Sequence, residues 1–169
     1  MNITYRRGGP DDAAELDRIF DTVFCDTFGH LYRAEDLNEF LTSFGIEDWK
    51  AQLRDPAFAV QIAEADGRAA GFAKIGPLKL PIDNERPAVL LDQLYVLKEY
   101  HGAGIARDLM DWVIEEARRR GAEDVYLTVF IDNHRARRFY DRFGFEPVGR
   151  YDFMVGKHVD EDVIMRRAL

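Results

Sequence analysis

From Ala88 to Leu97 the chain is nearly all apolar, and its end, LYVLKEYHGAGIARDLM (Leu94 to Met110), runs into two glycines one residue apart and then into a helical pattern. A run of this length and polarity predicts a strand buried on both faces, broken only by the carboxylate of Asp92. After the glycines, Ile105, Leu109, Trp112, Val113 and Ala117 recur at helical spacing. Arg118 to Arg120 follow, and Gly121 is a stop signal. EDVYLTVF, Glu123 to Phe130, then reads as a second strand. A strand, a glycine turn, a helix and a strand in immediate succession demand a crossover, which restricts the chain to an α/β arrangement.

The flanking sequence fits that restriction. NITYR, Asn2 to Arg6, is β-rich, and GGPDD after it supplies a turn, a proline for the first helical position and acids for the first turn. Leu16, Ile19, Phe20, Val23 and Phe24 form a stripe at intervals of three and four, which predicts a helix facing the core. Ala34 to Gly45 reads as a second short helix closed by glycine, and IEDWKAQLRDP as a third ending before Pro56. Asp66-Gly67 between two apolar runs signals a hairpin, and the three prolines from Pro77 to Pro87 signal a loop. Asp132 or Asn133 caps a later helix whose Ala136, Phe139, Tyr140 and Phe143 face inward, ending at Gly144. Two strands, Glu146 to Val155 and Asp162 to Arg167, close the chain. The order is summarised as β-α-α-ββ-β-α-β-α-β-β, an α/β fold around one mixed sheet. With no linker-like tract or repeat, residues 1–169 are expected to form a single domain.

Composition narrows the partners. The formal charge of −8 argues against a nucleic-acid surface, which needs clustered cations. Eleven acids face only two bases, Arg18 and Arg33, between Pro10 and Asp48. This segment is either a set of solvated helix faces or an acidic mouth for a cationic substrate. No run approaches the roughly 20 apolar residues of a membrane span, and no signal-like apolar segment follows the N-terminus. Cys25 is the sole cysteine, so no internal disulfide forms, and a cytoplasmic location is expected. Histidines 30, 101, 134 and 158 lack metal-ligand spacing, so no metal is expected, and nothing supports a thiol mechanism at Cys25.

A helix N-terminus preceded by glycines offers free N–H groups and a positive dipole to a phosphate. Gly102 and Gly104 meet that demand, with three readings open: a dinucleotide turn, an acyl-CoA pyrophosphate loop or merely a tight turn. The dinucleotide fingerprint places its third glycine on Arg107, and no Gly-Lys-Ser/Thr of a Walker loop follows.

HGAGIA, His101 to Ala106, resembles the phosphate loop of the GNAT superfamily of acetyl-CoA-dependent N-acetyltransferases, written Gln/Arg-x-x-Gly-x-Gly/Ala, except at its first position. LDQLYV is similar to that family's fourth strand, and NHRARRFYDRFGFEPVG to its Asn-x-x-Ala-x-x-Phe-Tyr-x-x-x-Gly-Phe segment. The resemblance implies a GNAT-type, centrally splayed sheet flanked by helices, with acetyl-CoA as cofactor. Main-chain groups of Leu94, Tyr95 and Val96 would hold the pantetheine arm, and His101, Gly102, Ala103, Gly104, Ile105, Ala106 and Arg107 the pyrophosphate. Asn133, Arg135, Phe139 and Tyr140 would complete the cofactor site, while Arg137 and Arg138 are further candidates for the 3′-phosphate or are solvated helix charges. His101 lacks a fixed charge at neutral pH, so it either gives an N–H to phosphate or caps the loop, and Arg107 could supply the charge.

Acetyl transfer to an amine needs a deprotonated nucleophile, a polarised carbonyl and a protonated leaving thiolate. The resemblance implies Tyr140 as general acid, the alternative being a core tyrosine. It implies Asp92 as general base through water, the alternative being a carboxylate that accepts backbone N–H bonds or pairs with an arginine. Asp92 shares alternation parity with Leu94 and Val96. Asn133 is a cofactor contact, a helix cap, or both.

A narrower resemblance concerns the acceptor. FDTVFCDTFGHLYRAEDLNEFL and GRYDFMVGKHVDEDVIMRRAL are similar to segments of bacterial spermidine/spermine N-acetyltransferases. It implies a small cationic amine substrate, a polyamine, with Asp26, Phe28, Tyr32, Glu35 and Asp36 on the substrate side. The alternatives are another amine, an antibiotic or a protein N-terminus, or an acyl-CoA-binding module without turnover. A monomer or homodimer is expected.

Overall fold

The computed structural model describes residues 1–169. Seven strands form one sheet: β1 (Ile3–Arg7), β2 (Ala59–Ala65), β3 (Arg68–Pro77), β4 (Ala88–Val96), β5 (Asp124–Phe130), β6 (Glu146–Val155) and β7 (His158–Ala168). Their spatial order is β1-β2-β3-β4-β5-β7-β6. Only β4 and β5 run parallel, joined by helix α4 (Ile105–Arg119). Three helices precede β2, namely α1 (Ala13–Phe28), α2 (Ala34–Thr42) and α3 (Ile46–Arg54), one more than the summarised order counts; α5 (His134–Arg142) follows β5.

The sheet has a hydrophobic core on each face. On one, Ile105, Leu109, Met110, Val113 and Ala117 of α4 pack against Ala63, Ala73, Ile75, Val125 and Leu127. On the other, Leu16 and Ile19 of α1 and Trp49 of α3 pack against Val60, Ile62 and Phe72. Each fully buried aliphatic side chain contributes about 1.5–3 kcal/mol, so the helical stripes dominate docking of both layers. Phe20 and Val23, expected in the α1 core stripe, are only half-buried and line the cleft described below.

Two departures from the expected strands shape that cleft. In β4 only Leu91 is buried and Asp92 is exposed, so this is no strand buried on both faces. The cause is its pairing: β4 bonds β5 solely through Ala88, Val89 and Leu90, opposite Asp124 to Tyr126, and the two strands separate beyond that point. Against β3 the register shifts, Ile75 facing Leu91 and Lys74 facing Gln93, which leaves Asp92 as the extra residue of a bulge. The bulge breaks the alternation, so Leu94 and Val96 pack toward α4 while Asp92 meets Lys74 on the opposite face. The last strand also starts at His158, four residues earlier than expected, after a tight turn at Gly156 with φ of 57°. Of its polar residues, Asp160 and Asp162 line the cleft, while Glu161 between them pairs with Arg150.

Candidate active site

The turn after β4 presents its backbone. Gly102 and Gly104 have φ of 85° and 84°, a left-handed conformation that glycine adopts without strain. The amides of Gly102 through Arg107 make no hydrogen bond within the protein, and the first helical bond here is Asp108 N–H to the Gly104 carbonyl. Six free N–H groups at the N-terminus of a long helix suit the anionic pyrophosphate of a coenzyme. The Arg107 side chain is largely exposed beside them, with Asp108 3.5 Å away.

His101 braces this loop. Its Nε2 lies 3.0 Å from the Val96 carbonyl and its Nδ1 3.3 Å from Arg135 Nη1. Since a carbonyl accepts and a guanidinium donates, Nε2 carries the proton and Nδ1 is the acceptor. Of its two expected roles the geometry therefore supports the cap. The imidazole ties β4 to α5 and occupies the Val96 carbonyl, one of the main-chain groups expected to hold the pantetheine arm. Asn133 caps α5 by accepting the Ala136 N–H at 3.3 Å, which leaves its Nδ2 without a protein partner. Arg137 donates to the Ile131 carbonyl at 2.9 Å, a structural bond.

The separation of β4 and β5 opens a cleft of about 820 Å3 that reaches from this loop to α1 and α2. Leu94, Tyr95, Val96, Phe139, Tyr140 and Asn133 line its cofactor-side part. Burial pushes the Tyr140 phenol up to about 12, so it stays protonated at neutral pH and able to donate. Tyr95 is raised too, by burial and then by its neighbours Tyr140, Asp92 and Asp162. The far part is aromatic. Phe24 lies 5.2 Å from Phe28 and 4.7 Å from Phe40, and Phe40 packs edge-on against Phe153 at 5.5 Å.

Carboxylates interrupt this aromatic wall. Asp92 is held by Lys74, whose Nζ is 3.1 Å from Oδ2. Lys74 is itself buried, donates to Gln52 Oε1 at 2.7 Å and sits 4.5 Å from the Trp49 ring centroid. Asp92 is thus paired with a lysine, where the alternative reading of its sequence context expected an arginine. On β7, Asp160 accepts from the Tyr32 hydroxyl and from His158 Nε2 at 3.1 Å. Asp162, two residues on, is buried without an ion-pair partner. Burial and the charge of Asp160 push its carboxyl up to about 7, against the Thr128 hydroxyl, which lowers it.

Of the five substrate-side candidates, Phe28 and Tyr32 line the cleft, and Asp26, Glu35 and Asp36 do not. Asp36 is buried at the β6–β7 turn, where Oδ1 accepts the Lys157 N–H at 2.9 Å and its Cα would stand 2.6 Å from a Cβ on Gly156. It fastens α2 to the sheet. The acid-rich N-terminal segment therefore gives the cleft no carboxylate through these residues. Besides Asp92, the cleft has Asp160 and Asp162 of β7, which no sequence signal marks, and Lys74 from an apolar stretch; a lone lysine within GFAKIG is a signal that a buried partner awaits it. Cys25 is exposed outside the cleft.

Comparison with known proteins identifies the family. The model of the Acetyltransferase (GNAT) family matches residues 19–145. An uncharacterised N-acetyltransferase of Mycobacterium tuberculosis is 39% identical over 117 residues, 69% of this chain and 71% of its own length. The spermine/spermidine N(1)-acetyltransferase of Bacillus subtilis is 32% identical over 90 residues, 52% of this chain and 59% of its own. Among solved structures, PaiA N-acetyltransferase from Thermoplasma acidophilum, in complex with coenzyme A, superposes with a TM-score of 0.79 over 100% of both chains at 20% identity. No helix is long and apolar enough to cross a membrane. A free-amide loop at the head of α4, a strand pair that parts beside it and a family match over three quarters of the sequence lead to one conclusion: the chain belongs to the GNAT family and is an acetyl-CoA-dependent N-acetyltransferase.

Proposed function

We propose that the acceptor is a primary amine that enters as a cation, a polyamine such as spermidine or spermine, and that Tyr140 protonates the leaving thiolate. The observation that carries this reading is the far wall of the cleft, where Asp92, Asp160 and Asp162 stand among aromatic rings. Aromatic faces and carboxylates together attract an alkylammonium ion and its methylene chain. The relatedness to the Bacillus enzyme adds support.

Coenzyme A, when bound, supplies the acetyl thioester. The amides of Gly102 to Arg107 hold its pyrophosphate, and the main-chain groups of Leu94, which face away from β3 and are freed by the parting of β4 from β5, align its arm. Asp92, with one oxygen on Lys74 and the other without a protein partner, attracts the ammonium group. Tyr140 carries a proton at neutral pH in the same cleft.

Thiol release from acetyl-CoA, measured over spermidine, spermine, a diamine, monoamines, amino acids and peptide N-termini, tests the reading. The highest kcat/KM is expected for polyamines. A preference for monoamines or peptides would overturn the polyamine assignment, and stabilisation by CoA with no thiol release from any amine would overturn turnover itself.

A further inference from the structure

An amine that enters protonated must lose a proton before it can attack, and the cleft contains one carboxylate that has no ion pair and no tyrosine or histidine on it. Asp92 is spoken for by Lys74. Asp160 is satisfied by Tyr32 and His158. Asp162 is 6% exposed, lines the cleft and has only the Thr128 hydroxyl as polar support. Its position is fixed by two ladders, opposite Phe130 of β5 and Tyr151 of β6. Phe130 belongs to the part of β5 that has separated from β4, so Asp162 borders the opening in which the acetyl group and the amine must meet. Tyr95, across that opening, senses both Tyr140 and Asp162.

We propose that Asp162 is the proton acceptor for the incoming ammonium group, with Asp160, two residues before it on the same face of β7, as its positioning residue. The inference rests on the reading that the acceptor arrives as a cation. In the step, the Asp162 carboxylate takes one proton from the ammonium. The freed nitrogen lone pair forms the C–N bond to the acetyl carbonyl carbon, the C–S bond breaks and its electron pair leaves on sulfur. Tyr140 gives its proton to that thiolate, the second proton lost from nitrogen returns to the Tyr140 oxygen, and Asp162 releases its own to solvent.

A carboxyl near 7 suits this role, since a base works best when its pKa is close to the working pH. The titratable groups around Asp162 are Tyr32 after α1, Asp92 and Tyr95 on β4, Tyr140 on α5, Tyr151 on β6, and His158 and Asp160 on β7. Of these, Asp160 is the like charge that raises it, with burial the larger cause.

The test is the pH dependence of kcat/KM for spermidine in the parent, Asp162→Asn and Asp160→Asn enzymes. The parent should rise through an acid limb centred near 7. Asp162→Asn should lose the limb and about 10²–10⁴-fold in turnover, with KM for acetyl-CoA little changed. Asp160→Asn should move the limb to lower pH. The loss in Asp162→Asn should shrink with trifluoroethylamine, a weakly basic acceptor already neutral at pH 7. A retained limb and turnover in Asp162→Asn overturn the proposal, as does an unmoved limb in Asp160→Asn should the first variant fail to fold. Absence of turnover by the parent with every amine would instead overturn the cationic-amine reading, and this inference with it.

Discussion

Lys74 Nζ lies 3.1 Å from Asp92 Oδ2, yet the two side chains are 2% and 34% exposed. The pair joins a buried ammonium, enclosed by Trp49 and Phe44, to a carboxylate at the edge of the cleft. Burial pulls the lysine's pKa down, and Asp92 opposes that pull.

The asymmetry predicts unequal costs for removing either partner. Asp92→Ala leaves the ammonium buried with Gln52 as its one remaining hydrogen-bond acceptor, at an expected cost of about 3 kcal/mol. Lys74→Met puts an unbranched apolar chain into the same aromatic enclosure and leaves a carboxylate that water can reach, at an expected cost below about 1.5 kcal/mol. Urea denaturation at neutral pH compares them. Equal losses would mean that the pair behaves as a surface bridge.

Tyr140→Phe keeps the ring packing against Phe139 and Phe145 and removes only the hydroxyl. With the phenol at about 12, the group is protonated throughout the neutral range. The expected result is a fall in kcat of about 10²-fold with KM for acetyl-CoA within about twofold. Unchanged turnover would remove the acid role.

His101→Ala cuts two hydrogen bonds that hold the loop between the Val96 carbonyl and Arg135. A bond of this kind contributes about 1 kcal/mol, so KM for acetyl-CoA should rise about five- to tenfold while kcat changes little. Isothermal titration with CoA gives the same answer without turnover. An equal loss in kcat would place the imidazole closer to the chemistry than its bonds indicate.

Neutralising the exposed acids Asp26 and Glu35 together is expected to leave KM for spermidine within about twofold at physiological salt, where charges beyond about 8 Å are screened. Initial rates with the double variant Asp26→Asn and Glu35→Gln measure this. A several-fold rise would restore the N-terminal segment as an acidic mouth.

The parts of the site legible in sequence are those made by neighbours along the chain. The strand running into Gly102 and Gly104, the stripe of α4 and the Asn133 cap each depend on residues within a turn or two, so local pattern finds them. The bulge at Asp92 depends on where Lys74 falls in another strand, and it reverses the face that simple alternation assigns. Tyr32 and Asp160 meet across 128 positions in the chain, and Asp36 meets Lys157 across 121. Counting acids by segment cannot tell which of them fold inward. The N-terminal acids Asp26 and Glu35 are exposed, while the cleft takes its carboxylates from the β4 bulge at Asp92 and from β7, where Asp160 lies just ahead of the expected strand and Asp162 at its start.

Asp162 also ties stability to pH. Its carboxyl titrates near 7 in the folded chain against about 3.9 in an unfolded one, so between those values the native state holds a proton that the unfolded chain has released. The associated stability is fully present below about pH 4 and is lost as pH rises through 7. Asparagine cannot ionise, so Asp162→Asn should be insensitive to this loss. Its stability relative to the parent should therefore grow by up to about 4 kcal/mol from pH 4 to pH 8, even as its turnover falls. Thermal or urea unfolding of both proteins at the two pH values supplies the comparison. The same difference at both would mean that Asp162 titrates as an ordinary carboxylate and that burial beside Asp160 does not favour its neutral form.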